Sequence, residues 1–323
     1  IIQFGKTRSA LLAEGYDDPY FKVFEDLGGG RARVEGRELI QFGSYHYLGF
    51  SRHPEVTEAA ARAARQVGTS AGASRLVTGN RAVHVELETA LACFLGTESA
   101  LAFVGGHATN ETVIGHLFGP GDLILHDSLA HNSLIEGAKL SGARRWAFPH
   151  NDLDALEGIL DEQRARFRRV LLVVEGVYSM DGDMPDLARL VELKHRHGAL
   201  LMLDEAHSLG TLGATGRGLT EHAGVPVAEI DLLMGTLSKA FASCGGFIAG
   251  SRVLTDYLRH TTPGFVYSVG MPPASAAAAL AAIGLLQREP CRVERLQHLS
   301  RFFHETAAAR GLGRRRRGRQ RRR

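Results

Sequence analysis

The chain has 323 residues, of which 44% are hydrophobic and 23% are charged, as expected of a globular protein with one large domain or two. The longest apolar stretch, residues 274–286, is too short to cross a bilayer, and residues 1–6 lack the pattern of a secretory signal. The 3 cysteines are widely spaced and match no disulfide or metal pattern. Composition therefore argues against a membrane or secreted protein, and we expect a cytoplasmic one.

The net charge of +3 is set by the C-terminal end of the sequence. Residues 314–323 hold eight of the 38 lysine and arginine residues. Without them, 30 basic residues face 35 acidic ones, which is a net charge of −5. An acidic body does not favour nucleic acid, so we expect no specific nucleic-acid partner and a disordered tail at 314–323.

In chain order, residues 1–43 are predicted to form an N-terminal arm, because charges, glycines and isolated aromatics dominate there. From residue 39 onward, short apolar runs alternate with amphipathic or alanine-rich segments. The runs predict strands at 39–42, 100–104, 123–126, 145–148, 170–174, 200–204, 232–235 and 246–249. The longer segments predict helices at 54–67, 83–94, 110–118, 153–167, 186–197 and 273–287.

This alternation predicts an α/β fold, with a mostly parallel sheet flanked by helices in a large domain at 44–285. Ligands of such sheets bind at the carboxyl ends of the strands. Residues that follow the predicted strands are therefore the candidates for a functional site.

The strongest candidates are Lys239 and Asp204, each at or just after the end of a predicted strand. A lysine in a buried setting can lose its proton and condense with an aldehyde, and a nearby carboxylate can keep a pyridine nitrogen protonated. Taken singly, Lys239 could equally be a solvated loop lysine and Asp204 a helix cap. Together they predict a site for pyridoxal 5'-phosphate.

Four further segments suit that cofactor. The turn Gly105-Gly106-His107 lets the backbone approach a phosphate at the start of a helix. His131 could stack on the pyridine ring, while Ser179 and His207 could reach its phenolic oxygen. Each has an ordinary structural reading, and a metal site at residues 204–207 is an alternative. No second cluster of ligands accompanies it, so we expect no metal.

At these residues the chain resembles the α-oxoamine synthase family of fold-type I, aminotransferase-like pyridoxal phosphate enzymes. That family includes 8-amino-7-oxononanoate synthase, 5-aminolevulinate synthase, serine palmitoyltransferase and 2-amino-3-oxobutyrate CoA ligase. The resemblance runs from about Phe42 to about Pro290, and members linked to polyketide or acyl carrier protein systems look most similar. Its motifs are Tyr47-Leu48-Gly49, Ser74 to Gly79, Glu175 to Asp183, Asp204 to His207, Thr236 to Ala240 and Met271-Pro272-Pro273.

The resemblance implies a role for each matching residue. Lys239 would hold the cofactor covalently and later move the α-proton of the substrate. Asp204 would pair with the pyridinium, His207 and Ser179 with the phenolic oxygen, and His131 would stack on the ring. The phosphate would be bound by Gly106, His107 and Thr236, and by Ser268 from a second subunit.

The implied reaction is a decarboxylative Claisen-type condensation of an amino acid with an acyl thioester, which yields an α-amino ketone. The acyl donor would be an acyl-CoA or an acyl carrier protein, and the enzyme would be a homodimer. His46 stands where the family commonly has asparagine, and Val269 where many members have threonine. Residues 286–313 match only the start of the family's small C-terminal domain, so we expect that domain to be truncated.

Other functions remain open at this stage. An aminotransferase or lyase of the same fold would use the same lysine, aspartate and phosphate turn. A truncated, inactive member of the family is another possibility. The tetrapeptide Asp-Glu-Ala-His at 204–207 also occurs in nucleic-acid ATPases. Those proteins need a phosphate-binding loop, and this sequence contains none.

Overall fold

A computed structural model describes residues 2–15, 18 and 20–312 of the protein. The predicted arginine-rich tail at 314–323 lies outside the described residues. The chain divides into two compact units, residues 1–44 and 45–323. The domain boundaries expected at residues 43, 285 and 313 stay predictions.

The first unit contains helix α1 (Ile2–Ala13) and a small antiparallel sheet, in the order β1 (Glu25–Gly28), β2 (Arg31–Val34) and β3 (Arg37–Ile40). Tight turns make the sheet possible, because Gly29, Gly30 and Gly36 all have positive φ. The predicted strand at 39–42 overlaps β3, but β1 and β2 were not predicted. Their arginine and glutamate side chains pair across the exposed face, as Arg33 does with Glu25, and such strands carry little hydrophobic signal.

The second unit is built on a seven-stranded sheet in the order β4-β10-β9-β8-β7-β5-β6. Strand β10 is antiparallel to both of its neighbours, and every other pairing is parallel. This confirms the mostly parallel sheet expected from the sequence. The strands are β4 (Ser99–Phe103), β5 (Leu123–Asp127), β6 (Arg144–Phe148), β7 (Val170–Glu175), β8 (Leu200–Asp204), β9 (Leu232–Thr236) and β10 (Gly246–Gly250).

Helices cover both faces of this sheet, because successive strand residues enter different apolar clusters. Leu123 and Leu125 pack in one buried cluster, whereas Ile124 between them packs in the other. The helices are α2 (Pro54–Val67), α3 (Ala82–Leu95), α4 (Gly106–Leu117), α5 (Asn132–Leu140), α6 (Leu153–Gln163), α7 (Leu187–His197), α8 (Leu219–Ala223), α9 (Arg252–Thr261), α10 (Pro263–Val266), α11 (Pro273–Arg288) and α12 (Cys291–Ala309).

Side-chain caps fix where several helices begin. The Asp152 carboxylate accepts a hydrogen bond from the Ala155 amide (3.0 Å), and Asp186 accepts one from the Arg189 amide (3.1 Å). Two predicted helix bounds were wrong by four residues, and the others agree to within one residue. Helix α4 begins at Gly106 and not at residue 110, and α6 gives way at Arg164 to one 3-10 turn. Within the described part of the chain, no helix combines the length and apolarity needed to span a membrane.

Candidate active site

The candidate residues meet at one edge of the large sheet, where its parallel strands end. Glu175 and Asp204 are the last residues of β7 and β8 and lie side by side in the sheet register. Thr236 ends β9, and Lys239 follows in the short connection to β10. Helix α4 begins at the same edge, directly after β4. The sheet therefore gathers residues that are up to about 130 positions apart in the sequence.

Lys239 lies in a short chain of hydrogen-bonding groups. Its Nζ atom is 2.8 Å from Nε2 of His207, and Nδ1 of His207 is 2.8 Å from the Tyr47 hydroxyl. Burial lowers the pKa of His207 to about 4, helped by the nearby Lys239 charge. Burial also lowers the pKa of Lys239, although the carboxylates of Asp204 and Glu175 oppose this. The two groups are therefore a neutral imidazole and an amine that loses its proton more easily than an exposed lysine.

Asp204 is buried and held by a second chain of contacts. One of its oxygens accepts a hydrogen bond from the Ala206 amide (2.9 Å), and the other accepts one from Nδ2 of Asn110 (2.8 Å). The same Asn110 nitrogen is 2.9 Å from the Ser133 hydroxyl, which is 2.7 Å from Nδ1 of His131. This chain fixes the carboxylate and the His131 ring relative to each other. Sequence reasoning gave no role to Asn110 or Ser133.

Glu175 is a second buried carboxyl at this edge, with 3% of its surface exposed. It accepts a hydrogen bond from the backbone N–H of His131 (2.6 Å). Burial raises its pKa to about 8, and the neighbouring Asp204 charge adds to this effect. Glu175 is therefore a neutral acid at pH 7 that anchors the residue before α5. It belonged to a recognised motif but was not among the predicted site residues.

A compact turn forms the other side of the site. A Cβ atom at Gly106 would lie 2.8 Å from Oγ1 of Thr236, and one at Gly246 would lie 2.7 Å from Cα of Gly106, so both positions require glycine. The Thr236 hydroxyl is 2.8 Å from that of Ser238. The start of α4 therefore lies against Thr236, and Ser238 is the residue before Lys239, so a helix start and two hydroxyls are available for an anion close to this lysine. His107 lies in the first turn of α4, with its ring centroid 6.0 Å from that of His131.

A cavity of about 460 Å³ opens beside His207 and Tyr47. Ser179 lies on its wall, so the structure brings this predicted residue to the same cavity as His207. The rest of the lining is partly apolar, with Val177, Met184, Leu212 and Leu296, and partly polar, with Thr211, His222, Gln297, Ser300 and Arg301. The cavity is large enough for a small organic ligand.

Ser268 stands apart from this group. It lies on a loop after α10, and its hydroxyl donates a hydrogen bond to the carbonyl of Val269 (3.2 Å). Its predicted role required a second subunit, so within one chain its contribution stays a prediction. Among the described residues, no group of three or more histidine, cysteine, aspartate or glutamate side chains could hold a metal ion.

The chemistry of this edge is specific. An amine with a lowered pKa can condense with a carbonyl group, a buried carboxylate can hold a cationic partner, and a helix start with two hydroxyls can bind an anion. These capacities lie side by side around Lys239. A ligand that carries an aldehyde, a basic ring nitrogen and a phosphate would use all of them.

Comparison with known proteins agrees with this arrangement. The profile of the family described as aminotransferase class I and II matches residues 37–315. The chain is 46% identical to 8-amino-7-oxononanoate synthase of Geobacter metallireducens over 286 residues, which is 88% of this chain and 73% of that protein.

Solved structures give the same picture. Serine palmitoyltransferase of Sphingomonas wittichii superposes with a TM-score of 0.92 at 35% identity, covering 96% of this chain and 77% of that one. A variant of the S. paucimobilis serine palmitoyltransferase, solved with a bound adduct of pyridoxal phosphate and myriocin, superposes with a TM-score of 0.90 at 32% identity. It covers 96% of this chain and 77% of that one.

Proposed function

This chain belongs to the aminotransferase class I and II family, as a pyridoxal-phosphate-dependent α-oxoamine synthase, and we propose that it joins an amino acid to an acyl thioester. The reaction releases carbon dioxide and the free thiol and yields an α-amino ketone. The observation that carries the proposal is the meeting of Lys239, neutral His207 and buried Asp204 at one sheet edge.

The residues present fit the cofactor. The turn at Gly106 leaves no room for a side chain against Thr236, and it presents helix amides and hydroxyls to an anion such as the phosphate. In our assignment Gly106, His107 and Thr236 hold the phosphate and Asp204 pairs with the ring nitrogen. His131 stacks on the ring, while His207 and Ser179 hold the phenolic oxygen.

When bound, the cofactor supplies an electron sink that stabilises negative charge at the α-carbon of an amino acid. The chain's own residues do the rest. Lys239 acts as the nucleophilic amine, because burial disfavours its charged form, and then serves as the group that takes and returns the α-proton. The buried Asp204 carboxylate keeps the ring nitrogen protonated, and Asn110 keeps that carboxylate in place.

The cavity beside His207 suits the substrates. Its apolar side chains, Val177, Met184, Leu212 and Leu296, can pack against an acyl group, while polar side chains such as Gln297 and Arg301 can contact the polar part of a substrate. Leu296 comes from α12, so the segment predicted to begin the small C-terminal domain contributes to this lining. The proposal leaves the acyl carrier open between coenzyme A and a carrier protein.

We also propose a homodimer, in which Ser268 reaches the phosphate of the other subunit. Two surface loops, joined by a bridge between Ser74 and Val269, support this assignment. On these loops Val77 exposes 75% of its surface and Tyr267 exposes 86%. An interface between subunits would bury such side chains. Light scattering coupled to size exclusion should give twice the mass of one chain, and a single-chain mass would contradict the dimer.

The reaction is tested by incubating holoenzyme with a panel of amino acids and either acyl-CoA or acyl carrier protein. The expected result is release of carbon dioxide and free thiol together. Formation of a keto acid without thiol release would instead identify an aminotransferase. Borohydride reduction followed by peptide mapping should tag Lys239, and Lys239→Ala should lose the tag. Lys139→Ala, which changes a surface lysine, should keep it.

A further inference from the structure

A histidine outside the proposed cofactor site joins two carboxylates from different parts of the fold. His150 follows β6, Asp127 is the last residue of β5, and Asp183 lies in the loop between β7 and α7. Nδ1 of His150 is 2.9 Å from an Asp127 oxygen, and Nε2 is 2.9 Å from an Asp183 oxygen. That loop also carries Ser179 to the wall of the cavity.

Both contacts are hydrogen bonds only when the His150 ring is doubly protonated. A neutral imidazole has one N–H, so its other nitrogen would turn a lone pair toward a carboxylate. Asp127 is fully buried, and its second oxygen already accepts the Asn151 amide (2.9 Å). Burial of His150 disfavours the charged ring, but the two carboxylates outweigh burial and raise the pKa of His150 above its ordinary value.

The loop segment held by His150 is a closed turn. The Tyr178 amide donates to the Asp183 carbonyl (3.0 Å), and the Gly182 amide donates to the Tyr178 carbonyl (2.7 Å). The rings of His150 and Tyr178 pack edge to face, with their centroids 4.6 Å apart and their planes at 88°. His150 therefore contacts both ends of the turn that contains Ser179.

We propose that protonated His150 is a positioning residue, which clamps the turn 178–183 to the end of β5 and so sets where Ser179 lies in the cavity. The clamp opens as the pH rises and His150 loses its second proton. The consequence for the reaction rests on the proposed function, because Ser179 is assigned there to the cofactor.

The groups that face His150 make it the titrating member of this cluster. They are Asp127, Asp183, Tyr178 and the Asn151 side chain, whose Nδ2 is 3.4 Å from Nε2. Burial raises the pKa of Tyr178 far above its usual range, so its hydroxyl keeps its proton throughout. Within this cluster, deprotonation in the neutral to alkaline range therefore falls on the His150 ring. Glu175, three residues before Tyr178, has a pKa of about 8, but it is present in wild type and variants alike and so cannot account for a difference between them.

Two matched variants separate a clamp from simple packing. In Asp183→Asn, a neutral His150 can donate from Nδ1 to Asp127 and accept at Nε2 from the new amide, so the contact no longer depends on pH. In His150→Phe, the packing against Tyr178 is kept but both hydrogen bonds of the ring are lost. The turn then keeps the contacts of the Asn151 side chain with Asp183 and the Met184 carbonyl (both 3.3 Å), but without the ring's hydrogen bonds it is held more weakly at every pH.

The test uses full-length protein labelled with ¹⁵N-histidine and followed by NMR from pH 6 to pH 9.5. Hydrogen exchange of the Tyr178 and Gly182 amides, corrected for intrinsic rates, is measured on the same samples. Wild-type His150 should titrate above pH 6.5, and amide protection should fall at least threefold over the same interval. Asp183→Asn should lower the His150 midpoint by at least one pH unit and keep protection constant. His150→Phe should show low protection throughout.

A neutral His150 at pH 6 would overturn the proposal. Amide protection that stays constant while His150 titrates in the wild type would overturn it as well. Equal pH dependence in Asp183→Asn and wild type would also overturn it. Should His150→Phe fail to fold, Asp183→Asn alone decides between these outcomes. The readouts need neither cofactor nor substrate, so they stand apart from the tests of function. Failure of thiol release would leave the clamp intact, and failure of the clamp would leave the tagging of Lys239 unchanged.

Discussion

The amine of Lys239 and the imidazole of His207 lie 2.8 Å apart, with the Tyr47 hydroxyl 2.8 Å from the far side of the ring. Burial raises the pKa of Tyr47 to about 12, so this phenol keeps its proton at any working pH. Tyr47 thus gives the His207 ring a neutral, permanent partner. The orientation of His207, and through it the setting of the amine, depends on a residue 160 positions away.

Tyr47→Phe should therefore slow the proposed reaction without unfolding the protein. Removing the hydroxyl leaves Nδ1 of His207 without its partner, at a cost of about 1–3 kcal/mol, which corresponds to roughly a 5- to 150-fold loss in kcat/KM. Steady-state kinetics measure the loss, and urea unfolding checks the fold. Tyr20→Phe, on an exposed segment, is the control. Unchanged kinetics in Tyr47→Phe would remove Tyr47 from the site.

His207 should make the cofactor-free protein sensitive to acid. Its pKa is about 4 in the folded state and about 6.5 in an unfolded chain, so the unfolded state takes up a proton first as the pH falls. The contribution of His207 to the free energy of unfolding is complete above about pH 6.5. It is lost as the pH falls from about 6.5 to about 4, and the total loss is on the order of 3 kcal/mol. Urea unfolding at pH 7 and pH 4.5 measures the loss. His207→Asn should lose less stability over this range, and an equal loss would contradict the assignment.

Glu175 should make the protein less stable as the pH rises, which is the opposite of the effect of His207. Because its pKa is about 8 when folded, the folded protein holds a proton that the unfolded chain releases above pH 4.5. Stability from this group is complete at low pH and is lost as the pH rises toward 8. Glu175→Gln keeps an acceptor for the His131 amide and removes the titration, so its Tm should exceed that of wild type at pH 8 and match it at pH 4.5. Glu162→Gln, at an exposed position, should show no such difference.

Gly106→Ala should weaken binding of pyridoxal phosphate at least tenfold. The added methyl group would lie 2.8 Å from Oγ1 of Thr236, so the turn or the threonine must shift. A spectral titration of the cofactor-free protein with pyridoxal phosphate measures the dissociation constant. Gly158→Ala provides the control, because a methyl group there meets no atom within 4 Å. Equal dissociation constants for pyridoxal phosphate in the two variants would contradict the assignment of the phosphate to this turn.

The ion pair between Arg75 and Glu88 should be needed for stability. The side chains are 4% and 6% exposed, and Glu88 also accepts the Ala102 amide (2.9 Å). Glu88→Ala leaves a buried guanidinium and an amide without their acceptor, and it should lower the free energy of unfolding by about 3–5 kcal/mol. The exposed pair of Arg65 and Glu58 offers the comparison, and Glu58→Ala should have no measurable effect on urea unfolding. A similar effect of both variants would contradict the argument.

The sequence predicted the large sheet well because its strands are continuous apolar runs that end in polar residues. Strand β8 has the predicted bounds, Leu200–Asp204. Strand β4 is shifted by one residue at both ends, and the other strands of that sheet are one residue longer at one end. Apolar content does not reveal strand direction, so the reversal of β10 was missed. One signal was available, since the connection 237–245 is too short for the crossover that a parallel neighbour requires.

The cofactor residues could be proposed from motifs, but their supporting contacts could not. Asn110 meets Asp204 across 94 positions of sequence, and His150 meets Asp183 across 33. Such pairs depend on strand order, which periodicity does not encode. Helices α1, α5, α8, α9, α10 and α12 were also missed. Helix α9 carried a local signal that was not used, because the Ser251 side chain caps the Leu254 amide (3.3 Å). Helix α12 begins after Pro290 without a side-chain cap and so lacked that cue.

The antiparallel direction of β10 also limits where the chain can tolerate insertions and deletions. Lys239 lies in a hairpin loop closed by the Leu237 amide on the Gly245 carbonyl (2.9 Å) and by the Ser243 amide on the Leu237 carbonyl (2.9 Å). One residue inserted or deleted between 237 and 245 would displace the reactive nitrogen directly. Natural variation in loop length should therefore gather at the opposite end of the sheet, where connections enter the strands far from this lysine.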